Sequence, residues 1–381
     1  MGEGVIAFSK DWNDLPTSGM HVPWQLGKSE NLLWISSIGT RKPSLSSGRD
    51  IGRITERLKK IWKRAEHTRD NIWVKSPVIL PKASSATQVA INRVALKSQV
   101  AHERKSLNLK APELWSFVPN AGDYIDLFNA SVKVYYCVDD WSRMHSVDGE
   151  WIKQKEDELL TKCDVVFATS EKLVTNLSQR CEVPVFYAPH GVDYQHFSSA
   201  ANNELTRPND LKGVEGPIVG FIGTLDARMD INLLKNLLPK VPQMNFVFIG
   251  PERDGFCDDL QQFPNAHFLG IKDYEELPAY CRHFDCAIIP YDLNNPYNHS
   301  VNPIKVREFL AAGLQVIAPK LPELIDMQHV HCQDSIEGWR DGIEKALEPK
   351  DREAVSKTMQ EHSWSERVKT LRAKVAEIRN S

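Results

Sequence analysis

Short apolar runs recur along the chain, and between several of them apolar residues return at helical spacing. Residues 4–9 (Gly-Val-Ile-Ala-Phe-Ser) read as a buried first strand. A helix beginning at His21 to Leu26 and a second strand over 31–36 follow. This β-α-β start opens a doubly wound sheet. Further strands are expected over 72–77, 112–119, 132–138, 164–170 and 183–189. Helices are expected from Thr87 to Lys105 and around Glu156 and Glu158. Residues 199–216 are polar, carry no apolar period and read as a linker. A second series begins at 217–224 and continues through a helix (230–238), a strand (245–250), a short apolar run (267–270), a helix (274–283) and a strand (285–291). A last helix, Trp364 to Ile378, places Val368, Leu371, Val375 and Ile378 on one side.

At 381 residues the chain exceeds one ordinary core, so two domains are expected. The division falls in the linker, giving 1–205 and 206–361. Seven cysteines, at 137, 163, 181, 257, 281, 286 and 332, form no CxxC pair. Several lie in apolar runs, as reduced core residues of a cytosolic protein do. Cys281 and Cys286 have no nearby His/Cys pair, so no metal site is expected there. No run has signal-peptide or membrane-span character. The net charge of −3 is unevenly spread. Residues 41–110 hold 17 Lys/Arg against 5 Asp/Glu, a local +12 against −15 elsewhere.

Candidate chemistry concentrates in three places. The first is 302–318 (NPIKVREFLAAGLQVIA): a proline suited to a first helical turn, a short helix, a glycine stop and an apolar strand. Lys305 and Glu308 share one face there; a cation beside free amides can hold a diphosphate, and the carboxylate can accept from ribose hydroxyls. An ordinary surface helix with a weak salt bridge is the alternative. The second is Asp139-Asp140, directly after the carboxyl end of an apolar strand, where open α/β sheets place active sites. Helix capping is the plainer role, and it suits Asp140 better. The third is the basic amphipathic stretch 51–65, where Lys59, Lys60, Trp62, Lys63 and Arg64 suit an anionic membrane surface. A core-facing helix with a charged back fits the same pattern. No nucleic-acid motif accompanies the patch, so no nucleic-acid partner is expected. The first loop lacks G-x-G-x-x-G, so a nicotinamide dinucleotide site is not expected.

Several of these pieces, in order, resemble the GT-B glycosyltransferases. Val134-Tyr135-Tyr136-Cys137-Val138-Asp139-Asp140, Phe167-Ala168-Thr169-Ser170 and His190-Gly191-Val192-Asp193 look like that superfamily's amino-terminal domain. Gly220-Phe221-Ile222-Gly223-Thr224, Phe248-Ile249-Gly250-Pro251, Ile289-Pro290-Tyr291 and Pro303-x-Lys305-x-x-Glu308 look like its donor domain. The closest likeness is to family 4 and to xanthan-type glucuronosyltransferases of bacterial polysaccharide or cell-wall glycan biosynthesis. The resemblance implies an α/β fold of two Rossmann-like domains facing across a cleft, with residues 362–381 crossing back to complete the first. It also implies a hexosyltransferase-type enzyme on the inner face of the membrane, using a nucleotide-diphosphate sugar, a glycan or lipid-linked acceptor, and no cofactor or metal.

In that likeness Lys305 neutralises the donor diphosphate and Glu308 accepts from the ribose. Tyr291 and Ile304 line the nucleotide, Ile271 contacts its base, and Gly223, Thr224 and Leu225 let main chain approach the phosphates. Departures bear on mechanism. Ser300 stands where retaining relatives carry Glu; Arg228 has no accompanying Lys; Asp139 replaces a common His. An Asp there looks like the general base of the glucuronosyltransferases, which implies inversion. Glu156 reads as a helix-surface residue. His21 is either an acceptor contact or a structural histidine. A non-catalytic sugar- or nucleic-acid-binding protein and a GT-B-shaped nucleotide-sugar epimerase remain the alternatives.

Overall fold

The computed structural model describes residues 4–14, 16–36, 64–144, 147–253 and 255–380. The expected stretch 51–65 falls outside them apart from Ala65 and an exposed Arg64. Lys59, Lys60, Trp62 and Lys63 therefore lie outside the described residues.

The chain forms two compact units, Met1–Pro189 with Arg367–Ser381, and His190–Glu366. In unit 1 the strands are β1 (Val5–Ser9), β2 (Leu32–Ser36), β3 (Glu66–Arg69), β4 (Ile72–Lys75), β5 (Glu113–Ser116), β6 (Val132–Cys137), β7 (Val165–Ala168) and β8 (Val185–Tyr187). Their order is β3-β4-β2-β1-β5-β6-β7-β8, parallel except where β3 meets β4. In unit 2 they are β9 (Ile218–Ile222), β10 (Asn245–Ile249), β11 (Ala266–Phe268), β12 (Cys286–Ile288), β13 (Val316–Pro319) and β14 (Val330–Gln333). Their order is β11-β10-β9-β12-β13-β14, parallel throughout. Each sheet winds outward in both directions from its first strand. The winding reverses between β1 and β5 in one and between β9 and β12 in the other, and open sheets bind ligands at the carboxyl ends beside such a reversal.

The central strands, among them β1, β7 and β9, are continuous apolar runs because both faces are covered. In β9, Ile218 and Ile222 join one core cluster while Val219 and Phe221 join the other; β10 alternates likewise, Val247 and Ile249 against Phe246 and Phe248. Gly220 has no room for a side chain, since a Cβ there would meet the Phe284 ring at 2.0 Å. Each fully buried Phe or Leu contributes about 1.5–3 kcal/mol.

Two local details fix the first helix of unit 1, Ser18–Gly27. Pro23 lies inside it and has no N–H for the carbonyl of Gly19, one turn back. The Ser9 hydroxyl donates to that carbonyl instead, at 2.5 Å. The end of β1 and the start of this helix are thereby tied together.

The expected linker differs from what is observed. Phe197 and Ala200, on the helix Tyr194–Asn202, and Leu211 and Val214 beyond it all sit in a unit 2 core cluster. The Arg207 guanidinium donates to the carbonyls of Leu211 and Val214. The division therefore falls at 189/190 rather than 205/206, because the apolar residues of this polar stretch are spaced too irregularly to show a period. From Arg367 on, the final helix Trp364–Asn380 belongs to unit 1. There Arg372 pairs with Glu30 and Glu113.

Candidate functional site

In unit 2 three glycines bring main chain together at successive strand ends. Gly223, after β9, donates its N–H to Ile249; Gly250, after β10, donates to Gly270, after β11. Gly250 has φ +141°, and a Cβ there would lie 1.9 Å from the Gly223 carbonyl. Only glycine fits that approach. Thr224 is half-buried and Leu225 buried, with the Leu225 N–H bonded to Pro251. Ile271 is 65% exposed.

The loops after β9 and β12, the strands flanking the reversal, are bonded to each other. The Asp230 N–H donates to Pro290 and the Asp292 N–H to Arg228, while the side chains of Asn295 and Asn298 donate to Ala227 and Arg228. Asp226 holds the Arg228 Nε at 2.8 Å, which leaves the guanidinium over the Tyr291 ring, 6.0 Å from its centroid. Asp226 and Tyr291 favour the charged form, so Arg228 is held above its ordinary pKa despite burial.

The helix Ile304–Ala311 is a core element, not an ordinary surface helix: Val306 through Ala311 are buried. It ends as a Schellman motif, with Leu314 donating to Phe309, Gly313 donating to Leu310, and Gly313 at φ +78°. Lys305 Nζ meets Glu308 Oε2 at 2.6 Å, and the Glu308 side chain is only 4% exposed. Beneath them Arg307 donates to Asn302, which in turn donates to Glu323. Ser300, at the position where retaining relatives carry Glu, donates to the Tyr297 carbonyl. Burial first, then the charges of Glu308 and Asp193, push the Tyr274 phenol far above its usual pKa. Its ring stacks on His196, at 4.6 Å between centroids.

The motif His190-Gly191-Val192-Asp193 lies in unit 2 rather than in the amino-terminal unit that the resemblance implies. Its residues have local reasons. A Cβ at Gly191 would meet the Trp364 ring at 2.8 Å, and Asp193 caps the helix Tyr194–Asn202 by accepting from the His196 N–H.

In unit 1, Asp139 follows the carboxyl end of β6 and is half-buried. Its carbonyl accepts from the Cys137 thiol, and the Thr169 hydroxyl donates to Val138. Asp140 stands at the start of a 3-10 turn without capping a backbone N–H. Its carboxylate accepts from the Ser142 hydroxyl and pairs with Arg143. Glu156 is not a helix-surface residue: it is 8% exposed, paired with Arg180 and bonded by Tyr135. His21 is 3% exposed and sets its ring edge-on to Trp24. All seven cysteines are free thiols. Among the described residues no group of three or more His, Cys, Asp or Glu is placed to hold a metal ion. Among them also, no helix is long and apolar enough to cross a membrane.

No family model matches the chain. A segment of 239 residues is 28% identical to TuaH of Bacillus subtilis (strain 168), provisionally named a teichuronic acid biosynthesis glycosyltransferase. The match takes in 59% of each protein, so the chain spans under two thirds of that relative's length. Solved structures agree over nearly the whole chain. Sucrose-phosphate synthase from Thermosynechococcus elongatus has a TM-score of 0.67 at 13% identity, covering 98% of this chain and 99% of that one. HepE of Anabaena, in complex with UDP, gives 0.64 at 13%, covering 98% and 99%. A trehalose-6-phosphate protein from E. coli, bound with UDP-2-fluoro glucose, gives 0.66 at 9%, covering 99% of each. These likenesses, with the two sheet orders, show that the chain has the GT-B fold.

Proposed function

We propose that the chain is an inverting glycosyltransferase moving a sugar from a nucleoside-diphosphate sugar to a glycan or lipid-linked acceptor. The observation that supports this best is in unit 2. Glycine-lined strand ends and a buried helix that carries Lys305 in its first turn and Glu308 one turn on flank the reversal of the sheet. Helix N–H groups and a lysine suit a diphosphate, and a carboxylate suits ribose hydroxyls. The likeness to TuaH supports the glycan setting, and the UDP-bound neighbours make UDP the first nucleotide to test.

In this reading Asp139 removes the proton of the acceptor hydroxyl as its oxygen forms the new bond to the sugar's anomeric carbon. The bond from that carbon to the diphosphate breaks, and its electron pair leaves with the diphosphate. Lys305, Arg228 and the main-chain N–H groups offset the charge that develops there, so the reading needs no divalent ion. Glu308 orients the ribose. Tyr291, Ile304 and Ile271 shape the nucleotide site, and Gly223, Thr224 and Leu225 admit the phosphates. His21, buried beside Trp24, is the acceptor contact of this reading.

Calorimetry with UDP in EDTA, followed by transfer assays, tests the reading. Binding without transfer to any acceptor would favour a non-catalytic role. Interconversion of free nucleotide sugars without acceptor would favour an epimerase. The charge of 41–110 supports a peripheral position on an anionic membrane. Flotation with anionic liposomes should fall with salt and with neutralisation of Lys59, Lys60, Lys63 and Arg64; binding indifferent to both would remove the membrane from the proposal.

A further inference from the structure

Beneath Asp139 lies a string of polar groups that the proposed chemistry does not use. Tyr135 and Cys137 point from β6 into the unit 1 core. The Tyr135 hydroxyl donates to Glu156 Oε1 at 2.7 Å, and the Cys137 sulfur lies 3.9 Å from the same oxygen. Arg180 holds the other oxygen at 2.6 Å and grips Asp157 through its remaining nitrogens. At its far end the Cys137 sulfur lies 3.4 Å from the carbonyl oxygen of Asp139. A buried carboxylate at the side of a core is costly unless every lone pair has work, and two of the groups it serves belong to the strand that ends at the candidate base.

We infer that Glu156 is a positioning residue for Asp139: paired with Arg180 and bonded by Tyr135, it fixes the end of β6 and so the Asp139 carboxylate. The groups facing Glu156 are Tyr135 and Cys137 from β6, Asp157 from its own helix and Arg180 from the turn after the next helix. Those nearest Asp139 in the chain are Cys137, Asp140 and Arg143. Burial first, then the Glu156 carboxylate 3.9 Å away, raises the Cys137 thiol, and the Asp139 charge adds to the shift. Glu156 exchanges no atom with substrate; it supplies a fixed acceptor and one negative charge near the base.

The inference rests on Asp139 being the base, and two variants separate the two claims. Glu156→Gln keeps shape and a hydrogen-bonding oxygen but removes the charge and uncovers Arg180. The expected result is a kcat lowered about tenfold or more, with UDP affinity kept within about twofold. The acid limb of kcat/KM should move to lower pH, because losing an anion near Asp139 makes its carboxylate easier to ionise. A merely structural role would lower the folded fraction and leave that limb in place. Tyr135→Phe removes only the hydroxyl and should lower kcat in the same direction with the limb unmoved. Should Glu156→Gln fail to fold, Tyr135→Phe decides, and wild-type kcat there overturns the inference. Folded Glu156→Gln with wild-type kcat and a superimposable pH profile overturns it as well. If Asp139→Asn itself retains turnover, the reading of the base fails, whatever Glu156 does.

Discussion

The two units share one winding scheme and differ in what stands at the carboxyl ends of their strands. In unit 2 the edge is made of main chain and cations: Gly223, Gly250 and Gly270, then Arg228 and Lys305. In unit 1 the corresponding edge offers a carboxylate, Asp139, backed by the part-buried ion pair of Glu156 and Arg180. In the proposed reading, two sheets wound alike thus present an anion-accepting edge in one unit and a proton-accepting edge in the other. Sheet topology sets where chemistry happens, and the loops decide its sign.

Variants test that contrast, beginning with the largest expected effect. Asp139→Asn should cut transfer by about 10²–10⁴-fold, the range of general base catalysis, while calorimetric UDP affinity stays unchanged. A parallel loss of UDP affinity would place Asp139 in donor binding. Next, Lys305→Ala should weaken UDP binding by about 2 kcal/mol, the worth of a charge-assisted contact, or roughly 30-fold in Kd. Unchanged affinity by calorimetry removes the diphosphate assignment. Gly250→Ala should destabilise unit 2 by at least about 1–3 kcal/mol from backbone strain alone, with more from the clash at the Gly223 carbonyl. A melting temperature equal to that of the parent would refute the close approach of those strands.

The smallest effect concerns pH. Burial pushes His267, His283 and His331 in unit 2 below the ordinary histidine pKa, with nearby cations adding to the shift for the last two. Each is neutral in the folded state and takes up its proton more readily when unfolded. Their contribution to stability is present above about pH 6.5, the unfolded value, and is lost as pH falls from there through their lower folded values. Hydrogen exchange between pH 7 and pH 5.5 should show falling protection in β9–β14 ahead of β1–β8. Equal loss in both sheets would mean these histidines do not set the acid response.

The sequence was most legible where burial leaves a continuous mark. Strands covered on both faces, such as β1, β7 and β9, show as unbroken apolar runs, and the Pro303–Gly313 helix announced both of its ends. Legibility failed where a partner stands far along the chain. Glu156 looked like one more charge on a charged helix, because Arg180 lies beyond another strand and helix. Asp140 looked like a helix cap, but the side chains of Ser142 and Arg143 claimed its carboxylate. Residues 199–216 hid Leu211 and Val214 among polar neighbours that bond back to the chain. Tyr274 gave no sign at all, since its place against His196 and Phe197 is set by packing.

The meeting of Gly223, Gly250 and Gly270 carries a consequence for how such a molecule can change over time. A wall assembled from peptide groups has no substituents to exchange, so descent can neither enlarge nor recharge it piecemeal. On the proposed reading, a shift in the preferred donor is written on its rim, at Ile271, Arg228 and Tyr291, where ordinary replacements leave the backbone junction intact.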